Sequence, residues 1–209
     1  MNNKVLEQIN RMKGQTVGVE VEMNNISRRT AAQTAAEYFG SGREAEWTAR
    51  ANGYDCWSAW DTQGREWKFM RDVSISSADD YKKCELVTPI LKYDDIELLQ
   101  GLIRKLRRKG AQSHAGIGCG VHIHIGAQGH TAQTIRNLAN LMASHEELIG
   151  DAIKIDDGRK WHYCQVTNKT FITKLNKVKP TTMAGLADVW YSTNGGDGWE
   201  RSQHYNSSR

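Results

Sequence analysis

Two stretches decide the fold of this chain: Val17-Gly18-Val19-Glu20-Val21-Glu22-Met23 and Gly120-Val121-His122-Ile123-His124-Ile125-Gly126. In both, apolar β-branched residues alternate with other residue types, and side chains on a strand alternate between its two faces. Each stretch therefore predicts a strand with one face turned toward the core. The side chains predicted to face the core are Val17, Val19, Val21, Val121, Ile123 and Ile125.

The opposite faces of the two predicted strands carry groups that bind metal ions. Glu20 and Glu22 lie on one strand, and His122 and His124 lie on the other. The two members of each pair are ~6 to 7 Å apart at the rise of a strand. Carboxylates and imidazoles together can hold divalent cations against a polyphosphate, and oxygen ligands suit Mg²⁺. The H-x-H spacing also fits a zinc or iron site.

The alternative for both pairs is an ordinary solvent-exposed sheet face. Gly120 and Gly126 flank the histidine strand, and small neighbours leave room for a ligand, which favours the ligand site. Two further acids have similar alternatives. Glu85 lies between a cysteine and a leucine, where a carboxylate is costly unless it is paired or coordinated. The other interpretation of Glu85 is an outward-facing strand residue. Asp72 is a lone acid in turn-like surroundings.

Periodicity and capping residues predict the remaining elements. Three packing helices are expected at about residues 30–39, 94–110 and 131–150, the first with Thr30 as its N-cap and Gly40 as its end. Strands are expected at 17–23, 54–60, 67–71, 84–88 and 121–125, and residues 151–209 are expected to be less regular. The third helix is expected to bury Ile135, Leu138, Leu141, Met142, Leu148 and Ile149. This pattern predicts an α+β fold, with one sheet covered by helices on one face and open on the other.

Length and composition limit the class of protein. The 209 residues, 39% of them hydrophobic, predict a single domain over residues 1–209. The net charge is only +4, and the basic cluster at 104–109 ends a predicted helix, which favours a solvated helix terminus over a nucleic-acid surface. The four cysteines lack the C-x-x-C spacing of a zinc knuckle and are expected to be reduced thiols. Without an apolar run of the ~20 residues that a membrane span needs, the chain is expected to be cytoplasmic, with no membrane partner.

Five segments, taken in order, carry a resemblance to a known family. They are Gly18-Val19-Glu20-Val21-Glu22, Trp67-Lys68-Phe69-Met70-Arg71-Asp72-Val73-Ser74-Ile75, Glu85-Leu86-Val87-Thr88-Pro89-Ile90, Cys119-Gly120-Val121-His122-Ile123-His124-Ile125 and His204-Tyr205-Asn206-Ser207-Ser208-Arg209. In this order they resemble the amidoligase family of the carboxylate-amine ligase superfamily, which is related to glutamine synthetase and glutamate-cysteine ligase. The resemblance runs from about residue 14 to residue 209.

The resemblance implies an ATP-dependent ligase with a glutamine-synthetase-like catalytic domain. A curved, mostly antiparallel sheet would bind ATP and Mg²⁺ on its concave face. The reaction would join a small-molecule or peptide carboxylate to an amine through an acyl phosphate. Carried over by motif, the metal ligands are Glu20, Glu22, Glu85 and His122, the cofactor-binding residues are His124 and Asn206, and the catalytic residues are Asp72 and Arg209.

The end of the chain departs from the family pattern. Family members continue past the tyrosine and asparagine motif into a further strand, whose arginine is expected to stabilise phosphoryl charge, whereas this chain ends at Arg209. We expect a truncated fragment that lacks C-terminal strands, a second chain or homo-oligomer that completes the sheet, or a protein that has kept binding and lost ligation. Two other functions stay open: an inactive nucleotide- or peptide-binding module, and a metal-dependent hydrolase that uses the H-x-H pair.

Overall fold

The computed structural model describes residues 3–48, 55–162 and 166–193. The chain forms two compact units, residues 1–126 and residues 127–209, and each is described by itself. No helix in the described ranges is long and apolar enough to cross a membrane. The prediction of a single domain over the whole chain stays a prediction.

The first unit is built on an antiparallel sheet of six strands. Among the described residues, the strand order is β2-β3-β4-β5-β1-β6, so that β1 lies between β5 and β6. The strands are β1 Val17–Met23, β2 Glu46–Trp47, β3 Cys56–Trp60, β4 Glu66–Met70, β5 Cys84–Val87 and β6 Val121–Ile125. The helices of this unit are α1 Asn3–Lys13, α2 Arg28–Phe39 and α3 Ile96–Arg108. An open antiparallel sheet with helices confirms the predicted α+β class.

Helix α2 is capped differently from the prediction. Its N-cap is Ser27, whose hydroxyl accepts a hydrogen bond from the backbone N–H of Thr30. Thr30 is therefore the third helical residue, and the prediction of Thr30 as N-cap is wrong. The helix begins earlier because Ser27, three residues upstream, can accept the hydrogen bond that caps it. The end was predicted correctly: Gly40 adopts the left-handed conformation, with φ 61°, and its N–H bonds to Ala36.

One face of the sheet is covered and forms the core. Helix α2 packs against β3, β4 and β5, and α3 packs against α2. Alanines on the buried side of α2 allow it to lie close to the aromatic side chains of β4. The buried residues shared by these elements are Val21, Met23, Trp67, Phe69, Cys84 and Leu86 from the sheet and Ala31, Ala32, Ala35, Phe39, Leu102 and Leu106 from the helices. Burying one large side chain of this kind contributes ~1.5 to 3 kcal/mol.

The apolar side of β6 was predicted to be buried, and that prediction is wrong. Val121, Ile123 and Ile125 lie on the same sheet face as the valines of β1, yet they are 55%, 66% and 56% exposed. The reason is position: β6 is one of the two edge strands of the described sheet, and α2 packs against β3, β4 and β5 instead. Alternation therefore identified the face of the sheet correctly but not whether a helix covers it.

The second unit is helical in its described residues. Its helices are α4 Ala132–Ala152, α5 Asp157–His162, α6 Lys169–Val178 and α7 Met183–Thr193. The expectation of less regular structure after residue 151 is wrong for α5, α6 and α7. Asn168 begins α6 by accepting hydrogen bonds from two backbone N–H groups, and the exposed lysines of this helix obscure its short apolar stripe, Phe171 and Leu175.

Helix α4 begins at the predicted place but buries a different side. Thr131 is its N-cap, in a reciprocal hydrogen-bonded pair with Thr134. The side that packs in the second core cluster carries Ala132, with Ile135 and Ala139 partly buried. The rest of the predicted stripe, Leu138, Leu141, Met142, Leu148 and Ile149, is exposed. The prediction was correct for Ile135 alone, because two alanines, Ala132 and Ala139, form the rest of the contact of α4 with the buried residues of α6 and α7.

Cysteines in the described residues form no disulfide, as expected. Cys56, Cys84 and Cys119 are buried thiols, and Cys164 lies outside the described residues. Burial in the apolar core raises the pKa of the Cys84 thiol far above its ordinary value. This cysteine is therefore a packing residue and a poor nucleophile.

Candidate functional site

The register of the sheet brings the predicted metal-binding groups onto one open face. Glu20 is directly opposite His122 on β6, and Glu22 is directly opposite Glu85 on β5. The alternation of β1 turns its valines to the other face, which explains how a strand with two glutamates can still belong to the core. Residues 102 positions apart in sequence thus come into hydrogen-bond range.

Glu20 lies between the two imidazoles of β6. Its carboxylate is 3.2 Å from Nδ1 of His122 and 3.4 Å from Nε2 of His124. Nε2 of His122 is also 4.0 Å from the carboxylate of Glu22. His122 therefore belongs to the carboxylate cluster, while His124 is at its solvent edge, with a side chain 63% exposed.

Glu22 is the most buried acid of the site. Its side chain is 6% exposed, and its carboxylate accepts a 2.6 Å hydrogen bond from the backbone N–H of Gly120. The backbone N–H of Glu22 in turn donates to the carbonyl of Gly120. Because both contacts are made with the residue before β6, Glu22 has a fixed orientation before any ligand binds.

Glu85 is an acid of the site with a raised pKa. Burial, followed by the negative charges of Glu20, Asp72 and Glu22, raises the pKa of Glu85 to about 7, and nearby His122 acts in the opposite direction. The cysteine and leucine beside Glu85 face the core, and Glu85 itself projects to the open face. The sequence suggested that this carboxylate must be paired or coordinated, and the crowding of acids around it supports coordination.

Asp72 reaches the same cluster from the loop after β4. One oxygen of its carboxylate accepts a hydrogen bond from the backbone N–H of Ser74, at 2.7 Å, which sets its orientation. The carboxylates of Asp72, Glu22 and Glu85 have ligand atoms within 4.8 Å of one another. The structure thus makes Asp72 available as a metal ligand, in addition to the catalytic position that the resemblance implies.

The acids form two overlapping groups that can each hold a cation. One group is Glu20, Glu85 and His122, the other is Glu22, Asp72 and Glu85, and ligand atoms within each lie within 4.8 Å. Glu85 belongs to both groups, so its carboxylate would be available to a cation at either one. Four carboxylates and one imidazole are a predominantly hard oxygen donor set, which suits Mg²⁺ or Mn²⁺ better than zinc. Burial is the main cause of the raised pKa of Glu85, and a cation would relieve the repulsion among the acids that adds to it.

The glycines around the site have different roles. Gly18, opposite His124, keeps space open beside the imidazole, since a Cβ there would lie 3.6 Å from the histidine Cβ. The prediction that Gly126 leaves room for a ligand is wrong. A Cβ at Gly126 would overlap the Thr16 hydroxyl, so this glycine serves close backbone packing with Thr16.

Sequence reasoning missed the charged residues that β4 places on this face, Glu66 and Lys68. Lys68 on β4 is directly opposite Val87, which is opposite Glu20, so Lys68 is in the same row as the acids. Its signal was the alternation of Trp67, Lys68 and Phe69, with both aromatic residues buried. Asn206 and Arg209, predicted to bind the cofactor and to act in catalysis, lie outside the described residues.

Comparison with known proteins adds a family assignment to this geometry. A scan against family models matches residues 13–209 to the family described as "Putative amidoligase enzyme", a range that includes residues of both compact units. Searches of curated proteins and of solved structures found no match.

Proposed function

The chain belongs to the amidoligase family, and on that premise we propose that it is an ATP-dependent ligase that joins a carboxylate to an amine. Family membership suggests ligase activity; the nucleotide and the mechanism are part of the proposal. The observation that carries it is the cluster of Glu20, Glu22, Glu85, Asp72 and His122 on the open face of the sheet. Such a cluster suits cations that bind polyphosphate.

The proposed reaction has two steps. A carboxylate oxygen of the substrate attacks the γ-phosphorus of ATP, and ADP leaves. The amine nitrogen of the second substrate then attacks the acyl carbon, phosphate leaves, and the nitrogen loses a proton. Little covalent chemistry falls to the protein, so positioning and electrostatics provide most of the rate. Bound Mg²⁺ would supply positive charge beside the transferring phosphoryl group.

The residues of the chain have separate tasks in this proposal. Glu20, Glu22 and Glu85, with His122, hold the cations, and the Gly120 N–H keeps the Glu22 carboxylate in place. Asp72, oriented by the N–H of Ser74, adds a fourth carboxylate to the cluster from the loop after β4, in the ligand group with Glu22 and Glu85. In this assignment His124, which is exposed and outside both ligand groups, contacts the nucleotide phosphates.

The proposal is tested by trapping the acyl phosphate. The protein is incubated with MgATP, hydroxylamine and pools of amino acids and dicarboxylates, and hydroxamates are measured by mass spectrometry together with ADP. For any carboxylate that responds, transfer of ¹⁸O from that carboxylate to inorganic phosphate identifies the acyl phosphate. MgATP binding without hydroxamate or ADP would instead support an inactive binding module, and absence of both binding and turnover would contradict the proposal.

The hydrolase alternative predicts different metal content. Protein purified without chelators would carry tightly held zinc or iron if the H-x-H pair were the main ligand set. In the structure both imidazoles contact Glu20, and carboxylates outnumber histidines in each ligand group. We therefore expect weakly held Mg²⁺ or Mn²⁺ and little zinc or iron.

We predict that the two histidines differ in their effects. His122→Ala should weaken Mg²⁺ binding by ~10-fold, because His122 belongs to a ligand group, and the difference should shrink toward acid pH because only neutral imidazole coordinates. His124→Ala should weaken MgATP binding and leave Mg²⁺ binding nearly unchanged. Calorimetric titration of each variant with Mg²⁺ and then with ATP measures both quantities. Equal losses for both substitutions, at every pH, would contradict the assignment.

A further inference from the structure

Lys68 has a distinctive position on the open face. In the sheet register, Lys68, Val87, Glu20 and His122 form one row across β4, β5, β1 and β6. Two strand spacings separate the Cα atoms of Lys68 and Glu20, ~10 Å. Between them lies only the side chain of Val87, which carries no charge. Among the described strand residues, Lys68 is the one lysine or arginine whose position is on this face.

Two arginines of this unit, Arg71 and Arg28, have close carboxylate partners, whereas Lys68 has a distant one. Arg71 forms two hydrogen bonds with Asp80, at 2.7 and 3.0 Å. Arg28 is buried and ion-paired with Asp55 at 2.6 Å. Nζ of Lys68 is 3.8 Å from the carboxylate of Glu66, beyond hydrogen-bond range, and the Lys68 side chain is 32% exposed.

The partner carboxylate is itself engaged elsewhere. Glu66 accepts a 2.8 Å hydrogen bond from the hydroxyl of Ser58 through its other oxygen. Its contact with Lys68 is therefore a long ion pair of the partly exposed kind that contributes little to stability. Lys68 can turn its ammonium group from Glu66 toward a ligand over Val87 at small cost.

We propose that Lys68 binds the anionic oxygens of a polyphosphate whose metal ions are held by the carboxylate cluster. This inference rests on the proposed function and names a residue, in addition to His124, that recognises the phosphate chain. A lysine acts on phosphate as a compact point charge, with three donors that need no fixed geometry. The row from Lys68 to Glu20 then has a cation at one end, metal-binding acids at the other, and an uncharged floor between them.

Electrostatics gives this role a signature that a structural role lacks. Lys68 repels a bare divalent cation, because both are positive, but attracts the net negative metal–polyphosphate complex. Replacing Lys68 by methionine should therefore leave Mg²⁺ affinity unchanged or higher while lowering the affinity for MgATP. A residue that only supported the fold or the metal cluster would lower both affinities together.

The test uses the full chain and calorimetric titration at one fixed salt concentration. Lys68→Met, Lys68→Arg and the parent are each titrated with Mg²⁺ alone, with MgATP and with magnesium tripolyphosphate. We expect Lys68→Met to lose ~10-fold or more in affinity for both phosphate ligands, and Lys68→Arg to retain most of it. Lys105→Met, which removes the same charge from an exposed site on α3, is the matched control and should bind like the parent.

Each other outcome overturns a stated part of the argument. If the parent binds MgATP and Lys68→Met binds it equally well, the role of Lys68 is wrong while the proposed function stands. If the parent binds neither phosphate ligand, both fail. If Lys68→Met has a lower affinity for MgATP but not for magnesium tripolyphosphate, the lysine does not recognise the phosphate chain. If Lys68→Met lowers the affinities for Mg²⁺ and MgATP equally, Lys68 only supports the metal cluster.

Discussion

Glu85→Gln should make the metal-free protein more stable and its response to Mg²⁺ much weaker. Burial and three neighbouring acids raise the pKa of Glu85 to about 7. The native state thus binds this proton more tightly than the unfolded chain does, whose glutamates titrate near 4.3. Stability from this group is fully present below about pH 4 and is lost as the pH rises through about 7. Glutamine remains neutral, so the stability of the variant should increase relative to that of the parent as the pH rises.

With Mg²⁺ present, the parent should become more stable than Glu85→Gln. At pH 8 a cation relieves the repulsion among the acids and stabilises the parent, whereas the variant has lost a ligand common to both groups. We expect at least ~10-fold weaker Mg²⁺ binding by Glu85→Gln. Unfolding midpoints from pH 4 to pH 8, with EDTA or with Mg²⁺, measure both effects. Glu97→Gln, an exposed change on α3, is the control, and equal Mg²⁺ responses in parent and Glu85→Gln would contradict the site.

The strands that form the site were predictable because their signal is local. The alternation in β1 and β6 specified the bounds Val17–Met23 and Val121–Ile125 and the face of each glutamate and histidine. Glu85 and Asp72 stood out as lone acids among their neighbours, and the family resemblance gave them roles. The sequence could not supply the register that sets Glu20 opposite His122 and Glu22 opposite Glu85, because pairing between distant strands depends on how the whole sheet assembles.

The errors concern burial and helices, and both arise from tertiary context. The apolar residues of β6 alternate as in a covered strand, but coverage depends on where α2 packs. Helix α4 packs through two alanines and Ile135, and its other large apolar side chains are exposed, which periodicity alone does not reveal. The two-residue strand β2 is too short for a periodic signal. Helix α1 was also missed, and none of its residues is buried.

A charged network holds the turn between β3 and β4, the hairpin that carries Lys68. The nearly buried carboxylate of Asp61 accepts hydrogen bonds from Nε1 of Trp67, at 3.0 Å, and from Nε of Arg65, at 2.8 Å. Backbone N–H groups of Gln63 and Arg65 also donate to it. Arg65 reaches on to Asp95, at the start of α3, through two hydrogen bonds of 2.8 and 2.9 Å. The network thus joins the hairpin to the helical layer.

The acids of this network should give the protein part of its stability toward acid. Burial raises the pKa of Asp61, but hydrogen bonds from Trp67, Arg65 and Gln63 outweigh it, so the pKa lies below its ordinary value. Hydrogen bonds from Arg65 likewise lower the pKa of Asp95. Because both folded pKa values are depressed, the stability is present above about pH 4, where free aspartates ionise, and is lost as the pH falls through the folded values.

Asp61→Asn should therefore cost ~3 kcal/mol at pH 7 and flatten the acid limb of the stability curve. The amide keeps the shape of the side chain but removes the charge, and its N–H₂ group confronts the donors of Arg65 or Trp67, which leaves buried polar groups unpaired. Urea unfolding at several pH values between 3 and 7 measures both effects. Asp94→Asn, an exposed change of the same charge, should stay within ~0.5 kcal/mol of the parent. If Asp61→Asn behaved like that control, the network would not hold the hairpin to α3, and the position of Lys68 would depend on the sheet register alone.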